Sequence, residues 1–257
     1  DRSRGLGDVY KRQRPDGNTG TYFMWRGDNG ELYAPGDAVP NEVNSLTALW
    51  VEHGHCVCGG DADFDGHTSH TAVEWTAWDK TDSLPTTAGN YYLKNDILID
   101  GQFEINESVN ICLNGKKIRA GSSIPENRYM LTVKGSNALT ITDCGGNGTI
   151  VGADTKGISV TQDATLTMYG GTIRDFLCGV GVSGTFRMTG NAHITACRES
   201  GISLHGAYGR GTQVYLSGNA AVTDCVSSAS GSGAGIHINS GSVSYTHLRA
   251  HETDQYL

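Results

Sequence analysis

Between His53 and His70 the chain gathers the residues best able to do chemistry. They read His53-Gly-His55-Cys56-Val-Cys58, then Asp61-Ala-Asp63-Phe-Asp65-Gly66-His67, and finally His70. Four of the 9 histidines and two of the 7 cysteines fall in these 18 residues. Neutral imidazole and thiolate are the donors zinc takes, four at a time in a tetrahedron. A Cys-x-Cys loop is too short to close a relaxed disulfide on itself. Cys56 and Cys58 therefore read as metal ligands or as exchangeable thiols on an exposed polar linker. The zinc expectation is a structural ion on Cys56, Cys58, His67 and either His55 or His70, which would fold the linker on binding.

The same stretch also opens like a calcium loop. Asp61, Asp63 and Asp65 alternate and Gly66 stands at the bend. The twelfth loop position, where a bidentate Glu belongs, is Ala72, and Glu74 comes two residues late. Calcium is the weaker expectation. Upstream, Arg26-Gly27-Asp28 matches the integrin-recognition tripeptide, but the same three residues suit an ordinary hairpin turn.

Elsewhere no catalytic set is assigned. The acids Asp143, Asp154, Asp175, Glu199 and Asp224 are scattered. Asp175 and Asp224 fall near corresponding positions of a repeat, two copies apart. At a strand spacing of roughly 4.8 Å that is nearly 10 Å, wider than paired glycosidase carboxylates stand. His193, His205 and His237 sit at different positions of the repeat and suggest no dyad.

The repeat itself runs from Ala138 to Ile238. One phrase recurs as Leu139-Thr-Ile141, Leu166-Thr-Met168, Phe186-Arg-Met188 and Val214-Tyr-Leu216. A second recurs as Gly157-Ile158-Ser-Val160, Gly179-Val180-Gly-Val182, Gly201-Ile202-Ser-Leu204 and Gly235-Ile236-His-Ile238. Its starts are 22, 22 and 34 residues apart. Apolar and polar residues alternate with period two, which predicts short strands with one buried face. A unit of about 22 residues is one coil of a parallel β-helix. Each strand stacks on its own copy, giving an aliphatic and Met column, an Asn191/Asn219 column and a Cys197/Cys225 column. Cys112, Cys144 and Cys178 recur at strand ends, where a small apolar side chain fits. A stack of free thiols agrees with an anaerobic exterior. A single copy buries too few side chains to offset roughly 1–2 kcal/mol of backbone entropy per ordered residue, so several coils must stack.

Two stretches carry family resemblances. Leu113-Asn-Gly-Lys-Lys-Ile118 resembles the phrase that opens many right-handed β-helices of the pectate-lyase-like superfamily, and with the later coils the resemblance covers about Asn90 to Ile238. Tyr22 to Trp50, with its Trp-containing strand, Tyr33-Ala-Pro-Gly-Asp37 turn and Leu46-Thr-Ala-Leu-Trp50 ending, resembles the C-terminal part of the internalin-type B repeat. These resemblances imply an all-β chain: a right-handed parallel β-helix solenoid preceded by a partial β-grasp-like repeat and a Cys/His-rich linker. They imply a structural or adhesive region of a secreted or cell-wall-attached bacterial protein, with polysaccharide or host glycan as partner. The alternative is a truncated polysaccharide lyase or glycoside hydrolase whose catalytic coils lie elsewhere. Trp75 and Trp78 are expected to cover the N-terminal end of the helix.

Composition bounds the rest. Gly 36 against Pro 5, with 8% aromatic residues, suits a turn-rich β protein. A formal net charge of -8 argues against nucleic acid or an anionic membrane as partner. No apolar run approaches the roughly 20 residues of a membrane helix. Ser3 to Gln13 and Val243 to Thr253 read as the two orientations of a translated transposon-based sequencing adapter. The expected layout is 1–13 adapter-like, 14–52 B-repeat-like, 53–74 linker, 75–242 β-helix and 243–257 adapter-like.

Overall fold

The computed structural model describes residues 21–33, 37–58, 72–205, 211–227, 235–240 and 242–245. Among them every regular element is a strand. In the N-terminal unit β1 (Thr21–Gly27) pairs antiparallel with both β2 (Leu32–Tyr33) and β3 (Leu46–Val51). Gly30, at φ 84, supplies the left-handed bend of the first turn. Of the Arg26-Gly27-Asp28 tripeptide, Arg26 and Gly27 end β1 and Asp28 opens the hairpin turn. The Asp28 carboxylate accepts the Asn44 amide at 3.2 Å from each oxygen.

A connecting segment follows. Its β4 (Gly54–His55) pairs antiparallel with β5 (Val73–Glu74), and β6 (Thr76–Trp78) then lies parallel at the edge of the first long sheet. Six three-stranded coils come next. The first two are β7 (Gly89–Leu93), β8 (Ile97–Ile99), β9 (Phe103–Ile105) and β10 (Val109–Cys112), β11 (Lys117–Ala120), β12 (Tyr129–Val133). The third and fourth are β13 (Ala138–Thr142), β14 (Thr149–Val151), β15 (Lys156–Val160) and β16 (Thr165–Met168), β17 (Thr172–Arg174), β18 (Cys178–Val182). The last two are β19 (Thr185–Met188), β20 (His193–Thr195), β21 (Ser200–His205) and β22 (Gln213–Leu216), β23 (Ala221–Thr223), β24 (Ile236–Ser240), and β25 (Ser242–Tyr245) starts a further turn. Like strands of successive coils pair in parallel, giving one 8-stranded and two 6-stranded sheets around a common bore. The chain is an all-β parallel β-helix solenoid, as the repeat predicts.

The register confirms the columns residue by residue. Ile111, Ile141, Met168, Met188 and Leu216 stack in one line, and Leu139, Leu166, Phe186 and Val214 in another. Ile97, Ile118, Ile150, Ile173, Ile194 and Val222 line the second sheet. The first five of that line are at most 1% exposed. β-Branched side chains pack well on a pleated surface, which is why Ile fills these stacked positions. Outward residues form ladders of their own: Asn110 donates to Asn90 at 2.8 Å and Asn219 to Asn191 at 3.3 Å.

Two backbone positions repeat for a steric reason. A Cβ on Gly179 would stand 2.6 Å from the Gly201 carbonyl oxygen, because the coils approach closely along the Gly157, Gly179, Gly201 line. Asp175, Ala196 and Asp224 occupy the same turn in consecutive coils, all left-handed at φ 62, 53 and 52. β25 starts at Ser242, the last residue of the expected β-helix, and runs into the stretch read as adapter. Ser242-Val-Ser-Tyr alternates like a true copy, so its backbone pairs on β22.

Candidate metal centre

The segment from Glu52 to Cys58 crosses the outer face of the first coils as a strap. Lys94 pairs with Glu52 at 2.9 Å, and the His53 ring stacks on Tyr92 with centroids 4.2 Å apart and planes 6° from parallel. Trp75 fastens the strap from its return strand. Its amide donates to the His53 carbonyl at 3.1 Å and its indole N–H to the His55 carbonyl at 3.0 Å. The indole also lies 4.5 Å from the His55 ring.

Two thiols of the solenoid meet these imidazoles. Cys112 ends β10, whose inward residues are Val109 and Ile111, so the period-two alternation turns Cys112 outward. Trp75 and Tyr92 then cover it completely. Cys144 follows β13 by two residues, in a turn built on Asp143. That carboxylate accepts the amides of Gly115 at 2.7 Å and Gly148 at 2.6 Å. A Cβ on Gly145 would collide with the backbone of Asn114 and Gly115. Glycine therefore lets the two turns nest and brings Cys144 over Cys112.

One ligand atom from each of His53, His55, Cys112 and Cys144 lies within 4.8 Å of all the others. Cys112 Sγ is 3.4 Å from Cys144 Sγ, His55 Nε2 is 3.0 Å from His53 Nε2, and Cys144 Sγ is 3.5 Å from His53 Nε2. His55 Nδ1 donates to the Cys56 carbonyl at 2.6 Å. The proton is thereby fixed on Nδ1, and the Nε2 lone pair is aimed at the cluster. Cys112 is fully buried, both histidines are half-buried and Cys144 is open to solvent. The Cys112 thiol donating to the Cys144 sulfur holds Cys144 below the usual thiol range, with His53 and His55 adding to the effect. The same hydrogen bond, with burial, pushes Cys112 up. Beside them the buried Tyr92 hydroxyl makes no hydrogen bond of good geometry; burial and the Glu52 carboxylate push it up to about 12. Four soft and borderline donors at these separations can hold a metal ion.

The structure places the residues of the expected ligand set in different surroundings. His55 stands in the cluster. Cys56 and Cys58 instead meet each other at 2.9 Å, buried against Tyr169. Cys56 lies past the end of β4 and Cys58 in the turn that follows, so the two thiols leave the strand that carries His55. His67, His70 and the Asp61, Asp63, Asp65, Gly66 loop lie outside the described residues. His53, Cys112 and Cys144 are the members of the cluster that the expected ligand set did not include. Trp75, expected at the end of the bore, belongs to this site, while Trp78 packs on the core beside Tyr91.

The scattered solenoid acids stay apart. Asp175 pairs with its neighbour Arg174 and Asp154 with Arg198. Ala196 stands between Asp175 and Asp224 in the column. No family model, curated protein or solved structure matches the chain.

Proposed function

We propose that this chain is a structural and adhesive β-helix region of a secreted or cell-surface bacterial protein, one that holds a polysaccharide or host glycan without turning it over. The observation that carries the reading is the in-register stacking of three parallel sheets through six coils around a continuous apolar bore. Such a rod transmits position along its length, and each added coil repeats its outer face. Along the first sheet that face runs Asn90, Asn110, Thr140, Thr167, Arg187 and Tyr215. The Arg187 guanidinium stacks over the Tyr215 ring at 4.3 Å. Amide, hydroxyl, guanidinium and aromatic faces are the groups that meet sugar hydroxyls and sugar rings.

Within this reading the rod belongs with the right-handed, pectate-lyase-like helices, and β1 to β3 with the internalin-type B repeat. Its extracellular or wall location follows from that membership. Its cofactor is a structural zinc ion, because imidazole and thiolate gathered on a connecting segment suit zinc better than calcium. Incubation with pectin and host glycans tests the reading. Retention of glycan with no new reducing ends and no unsaturated products is the expected result. Turnover would replace it with a carbohydrate-active enzyme.

A further inference from the structure

The strap presents a question that the rod does not answer: what holds it down. The Lys94–Glu52 pair is exposed at both ends, and such pairs contribute roughly 0–1 kcal/mol. β4 and β5 are two residues each. Yet His53 and His55 descend onto a fully buried thiol, and four donor atoms converge from three separate pieces of chain.

We infer that His53, His55, Cys112 and Cys144 form a structural zinc centre that pins the strap to the first coils of the solenoid. The inference takes only the choice of metal from the reading above and otherwise goes beyond it. A tetrahedron with Zn–S near 2.3 Å and Zn–N near 2.0–2.1 Å has edges of about 3.8 Å between sulfurs, 3.3 Å between nitrogens and 3.5 Å between the two kinds. The sulfur–sulfur and nitrogen–nitrogen separations here are 3.4 and 3.0 Å, the Cys144–His53 edge is 3.5 Å, and all four atoms lie within 4.8 Å of one another. The same four atoms are poorly explained as hydrogen bonding alone. Fixing the His55 proton on Nδ1 leaves its Nε2 facing another imidazole nitrogen, and the single His53 Nε2 must serve both that nitrogen and the Cys144 sulfur. A cation satisfies all of these lone pairs together.

The surroundings fit a structural site. Four protein ligands leave no open position for substrate or water. Both histidine carbonyls are held by Trp75, and the His53 ring rests on Tyr92, so the ligands are oriented by partners of their own. Cys112 closes the inner side and exposed Cys144 leaves the outer side open to entry of the ion. Binding links residue 53 to residues 112 and 144, so the ion fastens the strap across two successive coils.

The full chain, purified without a His-tag under reductant and passed through metal-free buffer, is analysed for zinc by mass spectrometry. The wild type is expected to carry about one zinc per chain. Cys144→Ser alters an exposed side chain and should leave the fold intact, yet reduce zinc at least about tenfold. The paired variant Cys56→Ser with Cys58→Ser should keep its zinc. Cobalt substituted for zinc should give a thiolate charge-transfer band in wild type that Cys144→Ser lacks. Amide exchange at Gly54, His55 and Trp75 should rise on chelation while β16 to β21 stay protected. Zinc retained when Cys144→Ser is combined with His53→Ala would overturn the assignment, as would zinc lost from the Cys56/Cys58 variant. A site that takes copper(I) and refuses zinc, or a strap indifferent to chelation, would overturn it too. Glycan turnover would sink the adhesive reading and leave this one standing.

Discussion

Along the middle coils Met168 lies on Met188 and Met188 on Leu216, so each side chain meets a copy of itself or a near equivalent. At the strap the contacts are not set by a repeat. An imidazole stacks on a phenol, an indole braces two histidines, and thiols of two coils meet both histidines. The first region is stabilised by repetition: a residue that fits once fits in every coil, and its strand is paired on both sides. The second is stabilised by convergence of imidazoles, thiols and aromatic rings from separate pieces of chain. Repetition distributes stability over many equivalent contacts, whereas convergence concentrates it in one site that a ligand can switch.

The largest effects should come from breaking the repetition. Phe186 is fully buried between Leu166 and Val214. Phe186→Ala should cost about 3–5 kcal/mol, measured by urea denaturation. A loss under about 1 kcal/mol would mean that the column does not carry the rod. Gly179→Val should be at least as severe. The added Cβ would meet the Gly201 oxygen at 2.6 Å and Ile194 at 2.8 Å, and neither backbone nor packed core can move aside cheaply.

Changes at the strap should divide differently. Trp75→Phe keeps an aromatic ring but removes the indole donor to the His55 carbonyl. Loss of such an orienting partner should weaken zinc binding about 10–100-fold, read by competition with a chromogenic chelator. The urea midpoint of the coils should hardly change. A rod that unfolds earlier in Trp75→Phe would show that the two regions are one cooperative unit, and the contrast between them would fall.

A smaller effect, of opposite sign, is expected at Ala196. Its column neighbours Asp175 and Asp224 are of a type that tolerates the left-handed region, and Ala is not. Ala196→Gly should therefore stabilise the rod by about 1 kcal/mol, seen as a higher midpoint in the same urea experiment. Destabilisation there would mean that the turn is not shared along the column.

The same contrast explains how far the sequence could be read. The columns were legible because Leu166-Thr-Met168 and Phe186-Arg-Met188 state their partnership in their own spelling: period two gives the strand and the 22-residue interval gives the stack. The metal centre was half legible. His55 lay in a visibly dense string, and His53 stood two residues before it in the same string. Cys112 and Cys144 were hidden by the repeat, because a thiol at a strand end looks like one more small core residue. Their signal was an offset. Cys112 pairs with Thr142, and Cys144 comes two residues later in an Asp-Cys-Gly-Gly turn that only a nested backbone explains. No local pattern could show that the strap would be laid across that turn.

The finest test sets the two thiol pairs against each other. Cys197 is buried and Cys225 half-exposed one coil above it. The hydrogen bond from Cys197 lowers Cys225 to about 7 and, with burial, raises Cys197. Cys225 is thus thiolate above neutral pH. Its alkylation by iodoacetamide should run at half its limiting rate near pH 7 and at about a tenth near pH 6, followed by peptide mass spectrometry. Cys144 is more exposed than Cys225, and exposure alone would make it react first. With zinc bound its sulfur is committed to the metal, so Cys225 should be labelled and Cys144 spared. Chelation should bring Cys144 into the labelled set and leave the Cys225 profile unchanged. Labelling of Cys144 that ignores chelation would leave exposure as the only difference between the two pairs, and the strap would then be held by packing alone.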